Sequence, residues 1–168
     1  MNIIKKIYAN FEEYACATLI SIMILSLMVQ ILVRAVLGTS IAFTEELSRY
    51  SFIWTIYLGG ALVAKHTSHV RITAQFMLFP KKVRLFFLII ADTIWVIFNF
   101  FLIAASIGAL DVALEFPEIS PTLFVVKAYV EAVIPFSFLL MSYRIIEKYI
   151  VKMKANDLYS LVNYEEAT

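Results

Sequence analysis

The sequence predicts an all-α integral membrane protein with four transmembrane helices, because of its composition, its apolar runs and its placement of charge. Of its 168 residues, 62% are hydrophobic and 16% are charged, whereas soluble domains carry about a quarter charged residues. The apolar runs leave too little chain for a water-soluble domain, so residues 1–168 are predicted to form one membrane domain. The net charge of +1 gives no reason to expect a nucleic-acid partner, and the single cysteine, Cys16, excludes an internal disulfide.

Four apolar segments supply the predicted spans, and each must be helical because hydrocarbon cannot satisfy an open backbone. The first, about 14–36, carries no charge over most of its length. The third, about 85–110, contains a single acid, and the fourth, about 128–147, contains Pro135, which predicts a kink. Each of these three runs is long enough to cross about 30 Å of hydrocarbon as a helix.

The second span is too short unless it includes charged residues. Its uncharged core at 51–64 makes roughly 21 Å of helix, whereas a helix over 45–64 reaches roughly 30 Å. Glu45 and Glu46 then occupy the first turn, where the helix dipole favours negative charge. Glu45 and Arg49 are four residues apart and can form an ion pair.

The two sides of this second helix differ. Six residues share one side at 100° per residue: Glu45, Arg49, Phe52, Ile56, Gly59 and Val63. A helix side with charged residues at its start and a glycine further along suits close contact with another helix. Trp54 lies on the other side, deeper than the interfacial belt, so we expect it to pack against protein or deep lipid. Simple capping and anchoring remains an alternative explanation for the charges. A catalytic carboxylate pair is disfavoured because adjacent helical residues do not converge.

Basic residues predict the orientation. The connection between the second and third spans holds five of them and no acid: Lys65, Arg71, Lys81, Lys82 and Arg84. Both terminal segments are also basic, whereas the two opposite connections are mainly acidic. The positive-inside rule therefore predicts that both termini are cytoplasmic. We expect a short interfacial helix in the basic connection and a solvated cytoplasmic tail at about 152–168.

Several polar residues fall inside or beside the predicted spans. Asp92 and Asn99, seven residues apart, place a polar stripe on the third span that should face protein or a water cavity. Arg144 in the fourth span is predicted to pair with Asp92. One carboxylate with no second ligand in view is a poor sodium site. His66 and His69 are too few for zinc, and haem would more naturally draw its axial histidines from different spans.

The middle of the chain resembles a known family signature. The residues that carry the resemblance are Glu45, Glu46, Arg49, Trp54, Gly59, Gly60 and Ala61, followed by His69-Val70-Arg71-Ile72, Pro80 and Arg84. They resemble the small membrane subunit, of the DctQ type, of tripartite ATP-independent periplasmic (TRAP) transporters. Ser68 and Thr73 stand where that family often has glycine and aspartate.

The resemblance implies a non-catalytic subunit of a sodium-coupled importer of organic acids, such as C4-dicarboxylates or sialic acid, in the bacterial inner membrane. Its expected partners are a large DctM-type membrane subunit and a periplasmic binding protein. Sodium is expected in the large subunit, with no cofactor in this chain. The residues expected to make partner or structural contacts are Glu45, Glu46, Arg49, Trp54, Gly59, Gly60 and His69.

Two other functions compete with this one. An independent four-span homodimeric exporter of small cations would need a membrane-embedded acid in its first span, and residues 14–33 contain none. A haem-binding membrane anchor is disfavoured by the placement of the two histidines in one connection.

Overall fold

The computed structural model describes residues 3–39, 41–65, 79–155 and 157–162, with side chains from Asn10 onward. These residues form five α-helices and a short 3₁₀ helix, and the described parts contain no β-structure beyond one isolated bridge. The helices are α1 (Ile3–Leu37), α2 (Ala42–Lys65), α3 (Lys81–Glu115), α4 (Lys127–Glu131) and α5 (Val133–Lys154), and the 3₁₀ helix is Leu158–Val162.

Three helical segments are long and apolar enough to cross a membrane: Asn10–Leu37, Lys81–Glu115 and Lys127–Lys154. The described residues are therefore mainly helical, with lengths and compositions that suit a multi-pass membrane protein. Helix α2 is not among the three because charged and hydroxyl side chains lower its hydropathy, although its 24 residues make roughly 36 Å of helix. Four spans and a cytoplasmic location of both termini stay predictions. The predicted interfacial helix and His69 lie outside the described residues.

Helix α2 packs against both α1 and α5, and α5 also packs against α3. This arrangement gives the bundle two ends. The start of α1 and the end of α5 lie at one end, called here the terminal end. The start of α2, α4 and the α3–α4 loop (residues 116–126) lie at the other, called here the loop end.

Small residues on α2 allow α5 to approach closely. Ala61 and Ala64 are buried against Met141 and Ile145. A Cβ added at Gly60 would lie 2.9 Å from the Met141 Cε atom, so a larger residue there would displace that side chain. Large apolar side chains on the other helix faces are exposed, as expected for surfaces that meet lipid.

The predicted fourth span is broken into α4 and α5 at Ala132. Pro135 supplies the reason, because it has no amide hydrogen and its ring disfavours a straight helix before it. Without an amide hydrogen, Pro135 cannot donate to the Glu131 carbonyl four residues before it. Trp54 Nε1 donates a hydrogen bond to the Val130 carbonyl at 3.0 Å. The indole therefore meets protein at the kink.

The chain beyond α5 does not match the expectation of a solvated tail, at least as far as Val162. The 3₁₀ helix packs back against α3, and Val162 is fully buried. Four of its five residues are aliphatic or aromatic, which gives this segment enough hydrophobic surface to dock on the bundle.

Candidate functional site

The charged side chains that form ion pairs in the bundle lie towards its two ends. At the loop end, the Glu46 carboxylate binds the α3–α4 loop. Its Oε2 atom accepts hydrogen bonds from the Ser120 and Thr122 hydroxyls and from the backbone amides of Thr122 (3.3 Å) and Leu123 (3.2 Å). One side chain of α2 thus holds a loop 74 residues away in sequence.

The α3–α4 loop has a compact internal structure. The Ser120 amide donates to the Val125 carbonyl at 2.9 Å, and the Phe124 amide donates to the Ser120 carbonyl at 3.2 Å. Ile119 and Val126 form the isolated bridge. Phe124 has φ of +55°, in the left-handed region, and its side chain is 79% exposed. The backbone therefore adopts a costly conformation without burying the ring.

Glu45 points away from the loop. Its Oε1 atom lies 3.1 Å from Arg49 Nη2, which confirms the predicted ion pair, and both side chains are more than half exposed. The side of α2 below this pair is also uncovered. Gly59 has open space where a Cβ would stand, and Phe52 and Ile56 are exposed. Gly60, and not Gly59, is therefore the glycine that contacts another helix of this chain.

A cleft of about 310 Å³ lies between α3 and α4 at the loop end. Its lining residues are Ala109, Val112, Ala113, Phe116, Glu118, Lys127, Ala128 and Glu131. Lys127 Nζ is 2.7 Å from Glu118 Oε2, and this hydrogen-bonded cation lowers the pKa of Glu118. Two carboxylates and one paired cation make the cleft a poor site for an organic anion.

At the terminal end, Arg144 connects helices through its guanidinium. Its Nε atom lies 2.5 Å from Glu12 Oε1, and its Nη1 atom lies 2.6 Å from Glu147 Oε2. The Glu12 side chain is fully buried and that of Arg144 is 5% exposed. The predicted pair of Asp92 with Arg144 is wrong, because Arg144 faces α1 rather than α3.

Asp92 is buried against the last turns of α5. Its Oδ2 atom accepts hydrogen bonds from Lys148 Nζ at 3.0 Å and from the Tyr149 hydroxyl at 2.6 Å. Asn99, two turns along α3, is also buried and donates to Ser142 Oγ at 3.2 Å. The polar stripe on α3 therefore faces protein. This stripe holds α3 to α5 in part through Lys148, which lies one turn beyond Arg144.

Glu12 is the buried acid that sequence reasoning missed. It precedes the uncharged apolar run and lies outside the predicted first span at about 14–36. Helix α1 begins at Ile3, however, and Glu12 lies one turn before buried Cys16 on the same face. That spacing was the available signal. Its neighbour Glu13 binds Lys65 Nζ at 2.9 Å, which connects α1 to the end of α2.

These contacts suit the joining of helices better than chemistry on a ligand. In the part of the chain that the structure describes, no three histidine, cysteine, aspartate or glutamate residues converge as they would around a metal ion. The Glu12, Asp92 and Arg144 side chains each bind a residue of another helix. Trp54, Glu46 and Gly60 also make contacts between segments.

Comparison with known proteins agrees with this architecture. The profile of the family described as "Tripartite ATP-independent periplasmic transporters, DctQ component" matches residues 23–155. A putative TRAP transporter small permease protein of Haemophilus influenzae is 33% identical over 61 residues, 36% of this chain and 38% of that protein. The sialic acid TRAP transporter small permease protein SiaQ of Vibrio cholerae is 33% identical over 85 residues, 51% of this chain and 49% of that protein.

A third relative is much longer. The isethionate TRAP transporter permease protein DctMQ of Oleidesulfovibrio alaskensis is 29% identical over 104 residues, which make up 62% of this chain and 16% of that protein. The matched segments thus span less than half of each of these three relatives. The family profile, by contrast, covers most of this chain, including the α2 motif and the helices that carry Asp92 and Arg144. The chain belongs to the DctQ family, the small membrane component of tripartite ATP-independent periplasmic transporters.

Proposed function

We propose that this chain is the non-catalytic small permease subunit of a sodium-coupled importer of organic acids, and that it scaffolds a large DctM-type subunit in the bacterial inner membrane. The observation that supports the proposal most directly is that the buried charged side chains of this chain bind one another or other residues of the bundle. Glu12, Asp92 and Arg144 all bind residues of neighbouring helices. They stabilise the bundle and form no converged ligand set, so sodium and substrate are expected to bind the large subunit.

The one helix break in the described part of the bundle supports the same assignment. Transporter cores use discontinuous helices whose free backbone groups bind ions or substrate. Here the Val130 carbonyl, which lies beside the break at Ala132, accepts a hydrogen bond from Trp54 of the same chain. The break therefore serves packing within the subunit.

The names of the relatives support the substrate class and the large partner. Two of them are named for sialic acid and isethionate, both organic acids. The name DctMQ and the 16% coverage fit a small subunit fused to a large one. We infer organic acids as the substrate class, with C4-dicarboxylates included, and a periplasmic binding protein as the third component.

The exposed side of α2 is the surface we assign to the large subunit. It combines the Glu45–Arg49 pair with open space at Gly59, which lets another helix approach. The basic residues near both termini support a cytoplasmic location for them, with the loop end facing the periplasm.

An independent exporter is not favoured, because it would need a membrane-embedded acid in its first span that is available to bind a cation. The one fully buried acid described in α1 is Glu12, and it is bound to Arg144 instead of facing an open cavity.

Co-purification tests the proposal: the tagged chain is expressed together with its neighbouring genes and isolated from the membrane. We expect a stable complex, with substrate uptake in vesicles that requires sodium, the complex and the binding protein. Recovery of only a monomer or homodimer would contradict the scaffolding role.

Two matched glycine variants test the surface. Gly59 and Gly108 both have open space where a Cβ would stand, but they lie on different helices. Gly59→Leu should lower recovery of the complex about tenfold, the effect of roughly 1.4 kcal/mol, whereas Gly108→Leu should leave it unchanged. Equal recovery of both variants would place the interface elsewhere.

A further inference from the structure

The adjacent residues Glu45 and Glu46 have different environments, and the difference points to a role for Glu46. Glu45 forms an exposed pair with Arg49 one turn along its own helix. Glu46 is half-buried and binds four donors, all from residues 120–123. Within the described residues, the Glu46 carboxylate accepts no hydrogen bond from its own helix, so it serves the loop.

The donors of the loop are arranged for a charged acceptor. Two are hydroxyls, from Ser120 and Thr122, and two are consecutive amides, of Thr122 and Leu123. Pro121 precedes these amides and fixes the backbone at the start of the turn. Convergent hydroxyls and amides bind a carboxylate more strongly than a neutral oxygen, because bonds to an ionised acceptor are charge-assisted.

The loop has a conformation that needs such support. Phe124 occupies the left-handed region at φ of +55°, which is unfavourable for a bulky residue. Its ring is exposed, so burial does not offset this cost. Ser120, by contrast, is a fully buried residue of the same loop and contacts Glu46 directly. Contacts with Glu46 therefore join the hydrogen bonds inside the loop in holding the turn in place.

We propose that Glu46 is a positioning residue that latches the α3–α4 loop to the first turn of α2, and that import requires the latched loop. The second part rests on the proposed function, whereas the latch itself does not. The latch makes the start of α2 and the connection between α3 and α4 one rigid unit. The loop end can then present a single shape to the other components of the importer.

Hydrogen exchange of the purified complex tests the latch. Glu46→Ala should raise the exchange rates of the Thr122 and Leu123 amides about tenfold or more, since it removes a charged acceptor. Peptides from α1 and α5 should keep their exchange rates. Asp111→Ala is the matched control, because it removes an exposed carboxylate of α3 that is outside both the loop and the surface assigned to the large subunit. Equal exchange in the two variants would overturn the latch.

Two further measurements separate a specific latch from general destabilisation. Acetate at millimolar concentration should restore part of the lost amide protection in Glu46→Ala, while chloride at the same ionic strength should not. The double variant Ser120→Ala/Thr122→Val should open the loop as Glu46→Ala does, and combining all three changes should add little. Full additivity, or no response to acetate, would contradict a shared carboxylate contact.

Uptake tests the second part of the proposal. Vesicles with wild-type complex are compared with vesicles that contain an equal amount of assembled Glu46→Gln complex. The variant should import substrate at least about tenfold more slowly, the same factor as the expected rise in amide exchange of the loop. Normal uptake with an opened loop would refute the need for the latch and leave the subunit assignment standing. A failure of the wild-type chain to form any complex would instead refute the proposed function.

Discussion

The two ends of the bundle use the same kinds of charged residue in opposite ways. At the terminal end, Arg144 and Glu12 meet inside the protein, and Asp92 is buried against Lys148. At the loop end, the Glu45–Arg49 and Glu118–Lys127 pairs lie on the surface. A buried charge that loses its partner costs several kcal/mol, whereas an exposed pair contributes about 0–1 kcal/mol. Burial, and not the number of pairs, should therefore decide which end controls stability.

The largest effect is expected at Arg144. Arg144→Met should lower the free energy of unfolding by about 3–5 kcal/mol, because it leaves the fully buried Glu12 without its counter-charge. Thermal unfolding of the purified chain in detergent measures the loss. Adding Glu12→Leu to that variant should recover most of the stability, since two apolar residues can replace a buried pair. If Arg144→Met alone were as stable as the wild-type protein, the ion pairs of the terminal end would not control the stability of the bundle.

A smaller loss is expected at Asp92. Asp92→Asn keeps an acceptor for the Tyr149 hydroxyl but removes the charge that faces Lys148, so we expect a loss of about 1–3 kcal/mol in the free energy of unfolding. Asp111→Asn on the same helix is the control, because Asp111 is exposed. Denaturant unfolding of the two variants should separate them, and identical midpoints would contradict the importance of burial.

The loop end offers a change that should stabilise the protein. Phe124→Asn places a residue that tolerates the left-handed region at φ of +55°, and we expect a gain of about 1 kcal/mol. Little is lost with the ring, which is mostly exposed. Phe116→Asn is the control, since Phe116 has φ of −117° and should gain nothing. Slower amide exchange in residues 120–125 of the Phe124 variant, with no change in the control, would agree with this expectation.

The smallest effect is expected from the pH dependence of the Glu118–Lys127 pair. Lys127 holds the pKa of Glu118 below its ordinary value. The pair therefore contributes fully above the pKa of Glu118 in the unfolded chain, and its contribution is lost as the pH falls through the lowered, folded-state pKa. An NMR titration of the carboxyl carbon should show this, and Lys127→Gln should raise the pKa. An unchanged pKa in that variant would mean that the exposed contact has no effect.

Sequence reasoning succeeded where the deciding feature was local. The helical pattern, the break before Pro135 and the Glu45–Arg49 pair each depend on residues within a few positions of one another. The burial of Asp92 also followed, because a carboxylate within an apolar run avoids lipid.

It failed where the answer depended on the order and rotation of the helices. Periodicity shows which residues share a face, but it does not show which helix covers that face. The sequence predicted that Arg144 pairs with Asp92 of α3, whereas Arg144 lies on the side of α5 that faces α1. The partners of Glu46 are 74 or more residues away in a loop whose turn has no periodic signal. Glu12 was missed because the apolar run was taken as the limit of the bundle.

The hydrogen bond from Trp54 to the Val130 carbonyl has a consequence for how the protein enters the membrane. Hydrocarbon cannot solvate the backbone carbonyls beside the break before Pro135, and Trp54 donates to one of them. The last helical segment is therefore expected to leave the insertion machinery only after it has found α2. A bulky apolar residue at position 54 should accordingly yield chains whose C-terminal segment inserts late or on the wrong side, and quality-control proteases should remove them before any transporter assembles.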